Sequence, residues 1–197
     1  MSFESIQRQS WYVIKKSYSP PKNCISRSIE RLVMKVGING MGRIGRLALR
    51  AAMGAAERPL DDPRANNRLE VVHLNELKGG AAATAHLLAF DSVQGKWREH
   101  IEPEGESHIR IGERTLGFSS HAHPADIPWG KLGVDLVMEC TGKFLTPETI
   151  QGHLDRGAKR VIVAAPVKVG NVLNIVVGVN HKQYDPAINQ IVTAASC

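Results

Sequence analysis

A short β-branched segment, Lys35-Val36-Gly37-Ile38-Asn39, runs directly into Gly40-Met41-Gly42-Arg43-Ile44-Gly45. Behind it Ile44, Leu47, Ala48, Ala51 and Ala52 recur at three- and four-residue spacing. A G-x-G-x-x-G string held between a strand and an amphipathic helix leaves few folds open. Gly40 permits a tight turn, Gly42 lets backbone N–H groups approach a pyrophosphate, and Gly45 lets the helix close on its strand, with the helix N-terminus facing the anion. The periodicity predicts a helix from near Arg43 that lays one apolar face on a sheet and leaves Arg46 and Arg50 on the other side. Three glycines alone mean little in a chain that holds 18 of them. Their flanks carry the expectation of dinucleotide binding.

The polar, turn-rich stretch Gly54 to Arg68 precedes a second strand, Leu69–Asn75, which Glu76 ends. An acid at this place in a Rossmann unit accepts hydrogen bonds from the adenosine ribose hydroxyls and repels a 2′-phosphate, which favours NAD over NADP. Glu76 stands 36 residues after Gly40. The usual spacing is about 20, and the intervening loop absorbs the excess. A helix is expected over Gly80–Phe90, then antiparallel ribbons around Trp97–Ile101, His108–Ile111 and Arg114–Phe118. The apolar strand Asp135–Cys140 ends in Thr141 and Gly142, which its carboxyl end places as lining of the same crevice. Thr146 caps a helix with Pro147 at its first position, stopping near Gly157. Strands at Arg160–Ala164, Asn174–Gly178 and Ile191–Thr193 complete the alternation of a Rossmann-type, doubly wound, mostly parallel α/β sheet.

At 197 residues the chain suits one full-sized domain, and its 22% charged and 43% hydrophobic content is ordinary globular usage. No apolar run reaches the length of a membrane span. Three cysteines, Cys24, Cys140 and Cys197, make no paired framework and fit a reducing, cytoplasmic setting. The net charge of +6 sits mostly in residues 1–33, where six basic residues face two acids. This Ser-rich segment lacks apolar periodicity and is expected to be a disordered extension, with Met34 opening the folded domain. It is too polar for a secretory signal; an organelle transit peptide and a nucleic-acid-binding arm around Lys15-Lys16 are its other readings. The near-neutral body argues against nucleic acid as the main partner. His121 and His123 read as exposed loop rather than metal ligands, and no metal site is expected.

Over Met34–Cys197 the residues resemble the phosphorylating glyceraldehyde-3-phosphate dehydrogenases. The matching stretches are KVGINGMGRIGR from Lys35, FDSVQG from Phe90, IPWG from Ile127, ECTGKF from Glu139, GAKRVIVAAP from Gly157, VGVNH from Val177 and ASC ending at Cys197. The resemblance implies an NAD-binding half in which Arg43 and Ile44 contact the cofactor, Glu76 takes the place of the ribose-binding acid, and Thr141 and Gly142 approach from the next crossover. It also implies that Cys197 is the catalytic nucleophile and Ser196 part of the inorganic-phosphate site. The implied reaction is glycolytic: a thiolate adds to an aldehyde phosphate, hydride passes to NAD, and phosphate releases the thioester. The implied assembly is a homotetramer.

Several positions depart from the family pattern. Glu76 replaces the usual Asp, Gln94 the usual His, Ala164 the usual Ser and Ala194 the usual Asn. These changes are similar to a divergent branch associated with arsenate resistance, which would make arsenate the acyl acceptor instead of phosphate. The family's catalytic domain, with its His base and phosphate-binding residues, would follow Cys197 and is absent from the sequence. An isolated thiol ionises only with a pKa of about 8.5. The 197-residue chain is therefore expected to be an incomplete enzyme, inactive by itself. A non-catalytic dinucleotide-binding or regulatory module is the alternative.

Overall fold

The computed structural model describes residues 33–56, 69–167 and 169–194. All of the proposed extension but Val33, most of the predicted loop before the second strand, and Ser196 and Cys197 lie outside these residues.

The elements in order are β1 (Met34–Asn39), α1 (Arg43–Ala56), β2 (Leu69–Asn75), α2 (Gly80–Ala89), β3 (Phe90–Asp91), β4 (Gly95–Lys96), β5 (Ile101–Glu104), β6 (His108–Ile111), β7 (Arg114–Ser119), β8 (Leu136–Glu139), α3 (Pro147–Asp155), β9 (Arg160–Val163), β10 (Leu173–Ile175) and β11 (Ile191–Ala194). Nine strands form one sheet in the order β10-β11-β9-β8-β1-β2-β7-β6-β5. Pairing is parallel from β10 through β7, and antiparallel only between β7, β6 and β5. The chain builds outward from β1 through β2 to β7, then returns to β1's other side with β8. That reversal puts a topological switch point at β1, where ligand crevices of such sheets form.

Alternation along the central strands divides the core. Val36, Ile38, Leu136, Met138 and Ile162 join Leu49 of α1 and Leu88 of α2 on one face. Val137, Val161 and Val163 join Trp129 and Ile150 of α3 on the other. Helices thus cover both faces, as a mostly parallel sheet requires. Trp129, wholly buried, packs against β1 at Gly37, where there is no side chain; a Cβ there would overlap its ring. The α3 start matches expectation: Thr146 and Thr149 exchange side-chain and backbone hydrogen bonds across the first turn, with Pro147 at the first position.

Five local expectations are corrected. The buried stripe of α1 is Gly45, Ala48, Leu49, Ala52 and Met53, one position later than the apolar spacing suggests, because Ile44 and Leu47 lie at the margin of the contact. Gly54 belongs to this helix rather than to the following loop. Arg46 and Arg50 are half-buried: Arg46 bonds the Met41 carbonyl at 3.0 Å and Asp91 at 3.5 Å, and Arg50 bonds the Leu88 carbonyl at 2.7 Å and lies over the Trp97 ring. The first ribbon strand is Ile101–Glu104, since the Trp97 N–H is drawn to the Ala89 carbonyl at 2.9 Å. Similarly β10 stops at Ile175 because the Asn180 side chain takes the Val176 N–H at 2.7 Å. Among the described residues no helix is long and apolar enough to cross a membrane.

Candidate functional site

The carboxyl ends of β1, β2 and β8 bring three loops together. Gly40 follows β1 with φ 93, a left-handed value that glycine adopts without strain, and its N–H bonds the Asn75 carbonyl at 2.8 Å. A Cβ on Gly40 would stand 2.7 Å from the Thr141 nitrogen, so the glycine turn packs directly on the loop after β8. A Cβ on Gly45 would overlap the Gly40 carbonyl oxygen, which shows how closely α1 returns over the turn. Gly42 differs: it is exposed, with open space where a Cβ would point. Arg43 is exposed and Ile44 half-buried beside it, and the first turn of α1 holds no acid. The leading N–H groups of a helix have no intrahelical partner. An open glycine edge at the start of a 14-residue helix therefore fits a pyrophosphate.

Glu76 reaches this turn despite its distance along the chain, because the β1–β2 register sets Asn39 opposite Asn75. Its Oε2 accepts the Met41 N–H at 2.7 Å and its Oε1 the Lys78 N–H at 3.2 Å. The half-buried carboxylate thus ties β2 to the glycine turn and keeps lone pairs for a further donor. Across the turn, Thr141 is half-buried and Gly142 exposed with φ 69. The structure brings Gly40, Gly42, Arg43, Ile44, Gly45, Glu76, Thr141 and Gly142 to one sheet edge. β11, parallel to β9, also runs toward that edge and ends at Ala194, before Ser196 and Cys197. Cys140, half-buried after β8, is a poor nucleophile: burial, and then the neighbouring Glu139 charge, push its thiol well above the ordinary range. Among the described residues no group of three or more His, Cys, Asp or Glu is disposed to hold a metal ion.

Sequence reasoning missed a buried polar belt beneath these loops. Glu139, 1% exposed, accepts from Asn39 Nδ2 at 2.5 Å, from His153 Nε2 at 3.0 Å, from the Thr141 N–H at 2.7 Å and from the Thr141 hydroxyl. Trp129 Nε1 donates to His153 Nδ1 at 2.9 Å, which places the His153 proton on Nε2. Asn75 Nδ2 donates to Asn39 Oδ1 at 2.8 Å, and Asn75 Oδ1 accepts from the Ser119 hydroxyl at 2.8 Å and the His121 N–H at 2.9 Å. His73 meets Ser119 at 2.8 Å and sets its ring edge-on to Trp129 at 5.9 Å. One signal was available. The apolar strands β1, β2 and β8 each end in an amide or acid immediately ahead of a predicted cofactor loop.

Burial, reinforced by His121 and His108, lowers the His73 imidazole to about 4. In the unfolded chain a histidine titrates near 6.5, so acid favours unfolding as pH falls between those values, and stability is fully present above the upper one. Acidifying from about pH 6.5 to 4 should remove about 3 kcal/mol through this group. Urea unfolding across that range checks it by comparing the wild type with His73→Gln. Parallel stability curves for the two would disprove the assignment.

Comparison with known proteins agrees with this geometry. The family described as glyceraldehyde 3-phosphate dehydrogenase, NAD binding domain, matches residues 34–147. Glyceraldehyde-3-phosphate dehydrogenase 3 of Nostoc sp. is 52% identical over 164 residues, covering 83% of this chain and 45% of that protein. Glyceraldehyde-3-phosphate dehydrogenase 1 of Streptomyces arenae is 41% identical over 166 residues, covering 84% and 46%. The Chlamydia pneumoniae glyceraldehyde-3-phosphate dehydrogenase is 42% identical over 164 residues, covering 83% and 45%. The chain therefore spans somewhat less than half the length of these curated relatives.

Proposed function

The chain belongs to the glyceraldehyde-3-phosphate dehydrogenase family and carries its NAD-binding domain, and from that premise we propose that residues 34–197 hold NAD across the β1 switch point for the oxidation of an aldehyde phosphate. The observation that carries this reading is the meeting of the open Gly42 edge, the Glu76 carboxylate and the Thr141-Gly142 turn on one sheet edge. The N–H groups of Gly42, Arg43 and Ile44 bind the pyrophosphate, Glu76 accepts from the adenosine ribose, and Thr141 with Gly142 closes the opposite wall. NAD, when bound, supplies the hydride acceptor.

Together with the family's catalytic domain, which supplies the base that ionises the thiol, Cys197 adds its thiolate to the aldehyde carbon, and after oxidation the acyl group is held on sulfur as a thioester. An oxyanion, phosphate or arsenate, then attacks the acyl carbon and the thiolate leaves. Ser196 contributes to the acceptor site. The glycolytic direction, a cytoplasmic setting and assembly as a homotetramer belong to the same proposal.

Calorimetry of the full chain with NAD and NADP tests the cofactor reading. NAD should saturate, with NADP at least roughly tenfold weaker because its 2′-phosphate would face Glu76. Glu76→Ser should narrow that gap to a few-fold by raising the NAD Kd and lowering that of NADP. Equal affinity for both cofactors in the wild type, or no binding by a folded sample, would overturn it.

A further inference from the structure

Glu139 supplies acceptors only, and of the four donors aimed at it all but the Thr141 hydroxyl are locked. The Thr141 N–H is backbone and cannot turn away. His153 cannot present a lone pair at Nε2, because its Nδ1 already accepts from Trp129. Asn39 cannot flip its amide, because its Oδ1 receives Asn75. One fully buried carboxylate thus joins the strand before the glycine turn to the loop after β8, and Gly40 packs on that same loop. The separation of the two walls of the crevice is set at this point.

We propose that Glu139 is a positioning residue for the cofactor: it touches no ligand itself, but fixes the Thr141-Gly142 turn at the distance from Gly40 that NAD requires. The proposal rests on the NAD reading above. Glu139→Gln keeps size and shape yet replaces one acceptor oxygen with an N–H donor. Turned one way, that donor faces the fixed donors of Asn39 and His153; turned the other way, it faces the fixed Thr141 N–H, with only the Thr141 hydroxyl able to rotate, so either orientation sets a buried donor against a donor and is not tolerated without movement. Thr141 belongs to an exposed loop edge and gives way before the strands do.

The test measures NAD affinity and urea unfolding for the wild type, Glu139→Gln and Trp129→Phe. Trp129→Phe breaks the belt on its far side, at His153, away from both loops. Glu139→Gln should raise the NAD Kd by roughly tenfold or more, whereas Trp129→Phe should lower stability and leave the Kd within about twofold. Affinity that falls in proportion to stability in both variants would mean a structural role only and overturn the proposal, as would an unchanged Kd in Glu139→Gln. A folded wild type that binds no NAD sinks the cofactor reading and this proposal together. Should Glu139→Gln fail to fold, amide exchange in the wild type decides. The Thr141 amide should exchange as slowly as the strand amides of β8, and a rate typical of unprotected loop amides would refute the proposal.

Discussion

Gly45→Ala should lower NAD affinity by roughly 100-fold, a shift of about 3 kcal/mol in binding free energy. The cause is local and rigid. The added methyl would overlap the Gly40 carbonyl oxygen, and Gly40 cannot retreat: its N–H bonds Asn75 at 2.8 Å and its α-carbon already faces the Thr141 backbone. Helix α1 must then lift away from β1 and carry the N–H groups of Gly42, Arg43 and Ile44 out of reach of the pyrophosphate. Gly54→Ala is the matched control. It lies in the same helix with open space around it, and should stabilise the fold by about 0.5–1 kcal/mol while leaving NAD affinity alone. Calorimetry on both variants checks the pair; equal affinity in Gly45→Ala and the wild type would show that the helix start does not hold the cofactor.

Trp129→Ala should cost about 3–5 kcal/mol of folding stability. The indole is wholly buried, fills the space that Gly37 leaves against β1, and makes ring contacts with both His73 and His153. Truncation leaves a cavity and also orphans His153 Nδ1, so a transfer loss and an unmet acceptor add. Domains of this size hold roughly 5–15 kcal/mol in all, so the variant should unfold at markedly lower denaturant and accumulate poorly. Equilibrium urea unfolding is the measurement, and a loss below about 1 kcal/mol would mean that the neighbouring side chains close the void.

The two halves of the candidate cofactor site were not equally legible. The glycine turn and the α1 start follow from residues adjacent in the chain, so Gly40, Gly42 and Gly45 are readable from their spacing. Glu76 was readable as the acid ending a second strand, but that it meets the glycine turn 36 residues from Gly40 follows from the register, which sets Asn39 beside Asn75. Arg46 and Arg50 resisted reading because charge suggests solvent, whereas long side chains bury their stems and send the head to backbone carbonyls.

The amino-acid sequence by itself determined the alternation of strands and helices, the parallel class of the sheet, the glycine turn and the acid that faces it. Each depends on periodicity or on residues a few positions apart, and backbone sterics and local hydrogen bonding act over that range. Only the tertiary structure decided that Asn39, Asn75, Glu139, His153 and Trp129 form one buried belt under the crevice. Directly bonded members lie up to 100 positions apart, as Asn39 and Glu139 do. Their partners are set by which strands become neighbours. A buried polar side chain declares its purpose only when the donors and acceptors around it are in place.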